Sequence, residues 1–233
     1  MSMPNAIQLR RVEREPLWDQ AQTQLRDALF AGRFEPGRRL TLRELAETLG
    51  TSITPVRDAV SRLIAQGVLE QGPRNSAVVP DVGVDTLRHL VIVRAELEGR
   101  ATREAVGRAT PAAIDALEHN LARMRQLIAT RNLDAYLDLH RRFHFGIYEM
   151  AAMPVLLQII ESLWLRCGPI LSFVIPEYVL SLKGTDHHMA VLRAIRAGDA
   201  ARAEAEVVAD IEEAAAYLEG LAGTDGRIRR TGR

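Results

Sequence analysis

The sequence predicts a mainly α protein: an N-terminal winged helix-turn-helix followed by an all-α helical bundle. Three observations carry that expectation. Residues 41–69, TLRELAETLGTSITPVRDAVSRLIAQGVL, hold two short amphipathic segments around a tight turn. Two β-prone runs, Val68-Leu69-Glu70 and Ala77-Val78-Val79, follow at once, with the turn-forming Gly72-Pro73-Arg74-Asn75 between them. From Asp85 to about Gly220 the pattern is helical almost throughout, with no β-rich run and no nucleotide-binding glycine loop.

In chain order, residues 1–16 mix charges and small residues without periodicity and are expected to form a flexible arm. Leu17, Ala21, Leu25, Ala28 and Leu29 then repeat helically, and Gly32 ends that segment. Phe34 to Leu40 reads as a short connection through Pro36-Gly37. Leu42, Leu45, Ala46 and Leu49 form one apolar stripe, and Gly50 stands where a helix C-terminus favours glycine. Ser52 is a candidate N-cap, and Pro55 sits in a first turn, where its missing N–H costs little. In the second helix Val56, Ala59, Val60, Leu63 and Ile64 point one way, while Thr54, Arg57, Ser61 and Arg62 point largely away. A second helix with a polar, Arg-bearing outer face is the pattern that enters the major groove. Helix pairs of this kind also occur in all-α cores, and the hairpin after it distinguishes the two, because it forms a wing with a basic residue near its tip.

The winged domain is expected to span 17–80, with 81–84 a linker and Asp85 the N-cap of the next helix. Helices are expected near 85–107, 111–130, 132–151, 153–166, 170–182, 185–197 and 200–221, with Pro169 and Pro176 interrupting the stretch 168–184. The Gly- and Arg-rich residues 222–233 are expected to be a disordered tail.

Composition sets bounds. At 233 residues and 47% hydrophobic, the chain is long enough for two small domains with real cores. Net charge is zero, and residues 1–80, with 11 Arg against 9 acidic residues, are only slightly basic. DNA affinity must therefore come from local placement of Arg rather than from a basic field. A single cysteine, Cys167, excludes an intramolecular disulfide framework and suits a reducing cytoplasm. No cleavable signal or bilayer-length apolar run is apparent, so a cytoplasmic protein is expected.

Six histidines occur, and some can converge. His140 and His144 lie four apart on a strong helical pattern flanked by Leu133, Tyr136, Leu137, Ile147 and Ala151, so both rings project from one inward face. That spacing suits a divalent metal. It equally suits a buried, hydrogen-bonded histidine beside a partly exposed neighbour. Gly198-Asp199 reads as the turn of a helical hairpin. His188 lies 10 residues before Gly198 and Asp210 lies 12 after it. At roughly 1.5 Å per residue both stand ~15–18 Å from the turn, where their side chains can meet. Asp210 lies on a face rich in Ala and Val, where a carboxylate needs a partner, and a metal would supply one. His187 reads as a bystander, and His89 and His119 as surface residues.

Residues 17–80 resemble the N-terminal domain of GntR-family bacterial transcription regulators through GRFEPGRRL (32–40), LRELAETLGTS (42–52) and TPVRDAVSRLIAQGVL (54–69). The resemblance implies DNA contacts from Arg43, Thr54, Pro55 and Arg57, with Arg74 and Asn75 in the wing. Ile53 stands where many members carry Arg, and Ser76 where a wing Gly is usual. The second half is similar to the FCD-type ligand-binding domain of the FadR-like branch, through VRAELEGRA (93–101), HRRFHFGIYEMA (140–151) and HHMAVLRAIRAGDAARAEAEV (187–207). The resemblance implies an effector-binding and dimerisation domain over 85–221, a homodimer on a palindromic operator, and a bound metal, Zn or Ni. The family pattern has Asp, then His four residues on, then two later His. Here His140 takes the Asp position and Asp210 the last His position, so the expected ligands are His140, His144, His188 and Asp210. A small carboxylate effector could coordinate that metal, helped by Arg94 or Arg166, although Arg94 also stands at i,i+4 spacing to pair with Glu98. The metal could equally be structural.

The leading reading is therefore a metabolite-responsive transcription regulator, acting as a repressor. Two other readings stand beside it. One is a metal-dependent hydrolase or lyase using the His/Asp set, against which there is no HExxH and no obvious general base. The other is a helical scaffold whose winged domain binds protein.

Overall fold

A computed structural model describes residues 17–171, 173, 177–181 and 183–229. The expected arm, 1–16, lies outside the described residues. The first helix, α1 (Leu17–Phe30), buries Ala21, Leu25, Leu29 and Phe30. Strand β1 (Arg39–Thr41) leads straight into α2 (Leu42–Leu49), whose N-cap Thr41 accepts the Glu44 N–H at 3.2 Å through its hydroxyl. Gly50 closes α2 at φ 64°, the left-handed turn that glycine takes without a Cβ penalty. Helix α3 (Ile53–Ala65) starts at Ser52, whose side chain makes no capping bond, and buries Val56, Ala59, Val60 and Leu63. Strands β2 (Glu70–Gln71) and β3 (Ser76–Val78) flank a 3₁₀ turn over Pro73–Asn75.

The three strands form one antiparallel sheet in the order β1-β3-β2, with Leu40 opposite Ala77 on one side and Gln71 opposite Ala77 on the other. The sequence showed the hairpin and read β1 as a connection, because three residues are too few to display a period of two.

The bundle comprises α4 (Val84–Val106), α5 (Pro111–Ala129), α6 (Leu133–Met150), α7 (Pro154–Leu171), α8 (Glu177–Leu180), α9 (Lys183–Ala197) and α10 (Ala200–Gly220). Gly83, not Asp85, caps α4, so Asp85 sits inside the first turn, where its charge still suits the helix dipole. Helix α7 continues through Pro169 instead of breaking near 166. Only Ile170 and Leu171 follow the proline, so the lost hydrogen bond falls in the last turn. Gly198 at φ 71° and the Asp199 cap, which accepts the Arg202 N–H at 2.9 Å, turn α9 back into α10.

The tail expected to be disordered is structured through Arg229. Residues 83 and 227, and 222 and 228, form antiparallel bridges, and Ile228 is buried. Asp225 pairs with Arg229 at 2.7 Å and Arg227 with Asp81 at 3.1 Å. A lone apolar residue among Gly and Arg gives no periodic signal, so composition alone misread this segment.

The two halves meet where α1 crosses α6 and α7. A Cβ at Gly168 would stand 2.3 Å from the Leu29 carbonyl oxygen, so the backbones touch only because residue 168 is glycine. Arg26 pairs with Glu161 at 2.8 Å, and the Phe30 and Phe145 rings meet edge-on at 6.0 Å.

Candidate functional site

The outer face of α3 is polar. Thr54, Arg57, Ser61 and Arg62 are exposed, with Ile53 also exposed at its first turn. Arg43 is exposed on α2 and pairs with Glu47 at 3.0 Å. In the wing, Arg74 and Asn75 are exposed and both take φ 55°, a left-handed pair that turns their side chains out at the tip. Pro55 departs from expectation. It is buried with the inner face of α3, since a proline in the first turn packs its ring instead of offering a polar atom. Ser76 is also buried. Its hydroxyl donates to the Pro73 carbonyl at 2.7 Å and accepts from Arg39 Nε at 2.9 Å, so it pins the turn. Gly72 accommodates it, since a Cβ there would lie 2.5 Å from Ser76 Oγ.

The second site lies in the bundle. His140 and His144 project from α6, His188 from α9 and Asp210 from α10, and one donor atom of each lies within 4.8 Å of the others. His144 Nε2 is 3.1 Å from His188 Nε2, and Asp210 Oδ2 stands 3.4 and 3.5 Å from the two. Metal–ligand bonds of about 2.0–2.2 Å place adjacent donors about 2.9–3.5 Å apart in octahedral or tetrahedral coordination. His144, His188 and Asp210 fit a divalent transition metal in donor type and spacing, and His140 brings a fourth donor within 4.8 Å of them.

The protonation states agree with that chemistry. Burial first, then neighbouring cationic character, pushes His140 down to about 3 and His144 well below its ordinary value, so both rings are neutral and available as ligands. Burial pushes the Asp210 carboxyl up, but the His188, His144 and His140 rings more than offset this and hold it below the ordinary carboxylate range.

A buried chain orients His144. Arg94 Nε donates to Glu98 Oε1 at 2.6 Å, and the Tyr148 hydroxyl donates to Glu98 Oε2 at 2.5 Å. Having donated its proton there, the Tyr148 oxygen accepts from His144 Nδ1 at 3.2 Å. The proton therefore sits on Nδ1, and the Nε2 lone pair faces His188 and Asp210. Burial and the Glu98 charge both push the Tyr148 phenol well up, keeping it a donor. Arg94 is thus neutralised by Glu98 rather than free for an anion. Arg166 is exposed and does not line the cavity beside the cluster, since α7 turns that position outward while Trp164 and Cys167 face in. His187, one residue from His188, points elsewhere. Glu206 at 2.8 Å and Glu213 at 3.2 Å hold its two ring nitrogens, and these partners outweigh burial to raise its pKa. His89 and His119 are exposed.

That cavity measures about 60 Å³ and is lined by Arg94, the four cluster residues and the apolar side chains Leu87, Val91, Ile170 and Ile211, among others. One water needs roughly 10–15 Å³ by this measure, so the space suits a small organic molecule. Sequence reasoning missed Tyr148, whose signal was its place four residues beyond His144 on one helix face.

A winged domain with an exposed polar recognition helix, fused to a helical bundle that encloses a ligand-sized cavity, defines a DNA-binding transcription regulator. Comparison with known proteins agrees. Residues 17–79 match the bacterial regulatory proteins of the gntR family, and residues 89–213 match the FCD domain. The chain is 36% identical over 155 residues to the HTH-type transcriptional regulator McbR of Escherichia coli (strain K12), covering 66% of this chain and 70% of that protein. It is 27% identical over 197 residues to a probable D-xylose utilization operon transcriptional repressor of Paenarthrobacter nicotinovorans, covering 84% and 85% of the two. The solved structure of E. coli McbR/YncC superposes with a TM-score of 0.83 at 30% identity, over 88% of this chain and 97% of that one.

The chain belongs to the GntR family of bacterial regulatory proteins and carries its FCD domain. It is a transcription regulator and not an enzyme, which sets aside the hydrolase and lyase reading. Regulators of this family bind DNA operators, and small-molecule effectors through the FCD domain. Among the described residues, no helix is long and apolar enough to cross a membrane.

Proposed function

We propose that the protein is a cytoplasmic, metabolite-responsive repressor that binds a palindromic operator as a homodimer. The winged domain, 17–80, joins through 81–84 to an effector and dimerisation domain over 85–221. Arg43, Thr54 and Arg57, with Arg74 and Asn75 in the wing, contact the DNA. His140, His144, His188 and Asp210 hold a divalent metal, Zn or Ni, and a small carboxylate effector binds beside it. The observation that carries this reading is that the His/Asp cluster opens onto the ligand-sized cavity. Two copies suit a twofold operator. Exposed Ile92 and Val93 on α4, with Val155 and Ile159 on α7, offer apolar surface on two helices that pack together.

When bound, the metal would supply a positive centre for an anionic group. The chain's own residues do the rest. Tyr148 and Glu98 fix the His144 ring, and the apolar wall excludes water. Trp164, Cys167 and Ile170 line the cavity from α7, and Gly168 of the same helix abuts Leu29 of α1, which packs on α3. A ligand that shifts α7 therefore shifts the recognition helices of the dimer, provided it binds the two states unequally.

The test is fluorescence anisotropy on an operator duplex selected in vitro, with wild type and Arg57→Ala, with and without chelator. Arg57→Ala is expected to weaken operator binding at least about tenfold and flatten its salt dependence. Equal binding by the variant would remove α3 from the DNA interface.

A further inference from the structure

The indole N–H of Trp164 and the hydroxyl of Tyr178 are buried without a partner among the described residues, as is His188 Nδ1, and all three residues line the cavity. Trp164 is 2% exposed and Tyr178 7%. Buried polar groups are almost always paired, and here the indole and the phenol belong to one cavity wall, on α7 and α8. Tyr136 and Thr185 add two further hydroxyls to the lining, and the rest of the wall is apolar, through Leu87, Val91, Leu137, Val179 and Leu218.

Charge narrows the ligand further. Among the described residues, the cavity is lined by one permanent cation, Arg94, and one carboxylate, Asp210. Arg94 is already matched by Glu98 through two hydrogen bonds, at 2.6 and 3.3 Å. A divalent metal on three neutral imidazoles and Asp210 would leave a single positive charge, enough for one anionic head. A second carboxylate on the ligand would meet no free cation, and a buried, unpaired charge is strongly disfavoured.

Resting on the effector reading above, we infer that the cavity takes a monoanionic ligand with an apolar body and at least one neutral hydrogen-bond acceptor, met by Trp164 Nε1–H and the Tyr178 hydroxyl. Dicarboxylates are rejected. Trp164 and Tyr178 are specificity residues: a site built to hydrogen-bond a hydroxyl discriminates strongly against the analogue lacking it, because its buried donors are then left unpaired.

The test is calorimetric titration of the full-length, zinc-reconstituted protein with three six-carbon probes, hexanoate, 6-hydroxyhexanoate and adipate. They share one head group and differ at the far end as methyl, hydroxyl and carboxylate. We expect 6-hydroxyhexanoate to bind about tenfold tighter than hexanoate, and adipate to bind most weakly. In Tyr178→Phe and in Trp164→Phe the ratio of 6-hydroxyhexanoate to hexanoate affinity should fall severalfold. Tyr178→Phe removes one oxygen and keeps the ring contact with Tyr217 at 5.3 Å, so it reports even where Trp164→Phe folds poorly. Adipate binding as tightly as 6-hydroxyhexanoate, or a hydroxyl preference unchanged in both variants, would overturn the inference and leave the carboxylate-effector reading standing. Binding of none of the three would overturn both.

Discussion

His144 Nε2 and His188 Nε2 face each other at 3.1 Å, with Asp210 Oδ2 beside both. Two imidazole nitrogens and a carboxylate oxygen held this close in an apolar bundle make a donor set for a cation, and Tyr148 makes the set directional by holding the proton on His144 Nδ1. Tyr148→Phe should therefore weaken metal affinity by about tenfold or more while leaving the four donors in place. Competition with a chromogenic chelator measures it, and unchanged affinity would mean that the ring is oriented by packing alone.

Arg94 and Glu98 are both buried and matched only to groups within the bundle. Arg94→Met strands the Glu98 carboxylate and should cost about 3–5 kcal/mol of stability. The double variant Arg94→Met, Glu98→Met removes both charges and should recover most of that loss. Urea unfolding of the wild type, the single variant and the double variant checks the order.

The histidines make the metal-free protein acid-sensitive. His140 is held down to about 3 by burial, whereas an unfolded histidine takes its proton near 6.5. Between those values the unfolded chain binds more protons than the folded one, so stability rises with pH through the window. The contribution is complete above about pH 6.5 and is lost as pH falls toward about 3; the depressed Asp210 acts in the same direction at the acid end. Chelator-treated protein should show a lower urea midpoint at about pH 4.5 than at about pH 7.

Gly168→Ala places a methyl group against the Leu29 carbonyl, a contact that backbone must move to relieve. A destabilisation of about 1–3 kcal/mol is expected. The same seam joins the cavity wall to the winged domain, so operator affinity should change although no DNA-facing residue is altered. Thermal unfolding and anisotropy on the same preparation separate the two effects.

How much of this was legible in the sequence follows from what patterns encode. The apolar stripes of α2 and α3 and the glycine stop at 50 were local signals, and they located the recognition helix directly. The His188–Asp210 encounter was readable because a helical hairpin converts residue counts into heights. Strand β1 was too short to show a period, and the structure past residue 222 rests on Ile228 meeting the linker, a long-range contact that composition hides. Pro55 was assigned to the DNA by its place in a motif, yet its ring packs inward. For Arg94 the sequence offered an anion partner or Glu98, and burial decided for Glu98. Which cavity the Trp164 and Tyr178 rings face depends on how α7 and α8 pack, which no local pattern encodes.

The central claim is that four side chains from three helices form one metal centre. Elemental analysis of untagged protein, reconstituted with zinc or nickel and run beside His144→Ala and Asp210→Ala, tests it most directly. About one metal per chain in the wild type, lost in both variants while each remains helical by circular dichroism, is the predicted result. No metal in the reconstituted wild type, or full stoichiometry retained in both variants, would contradict it.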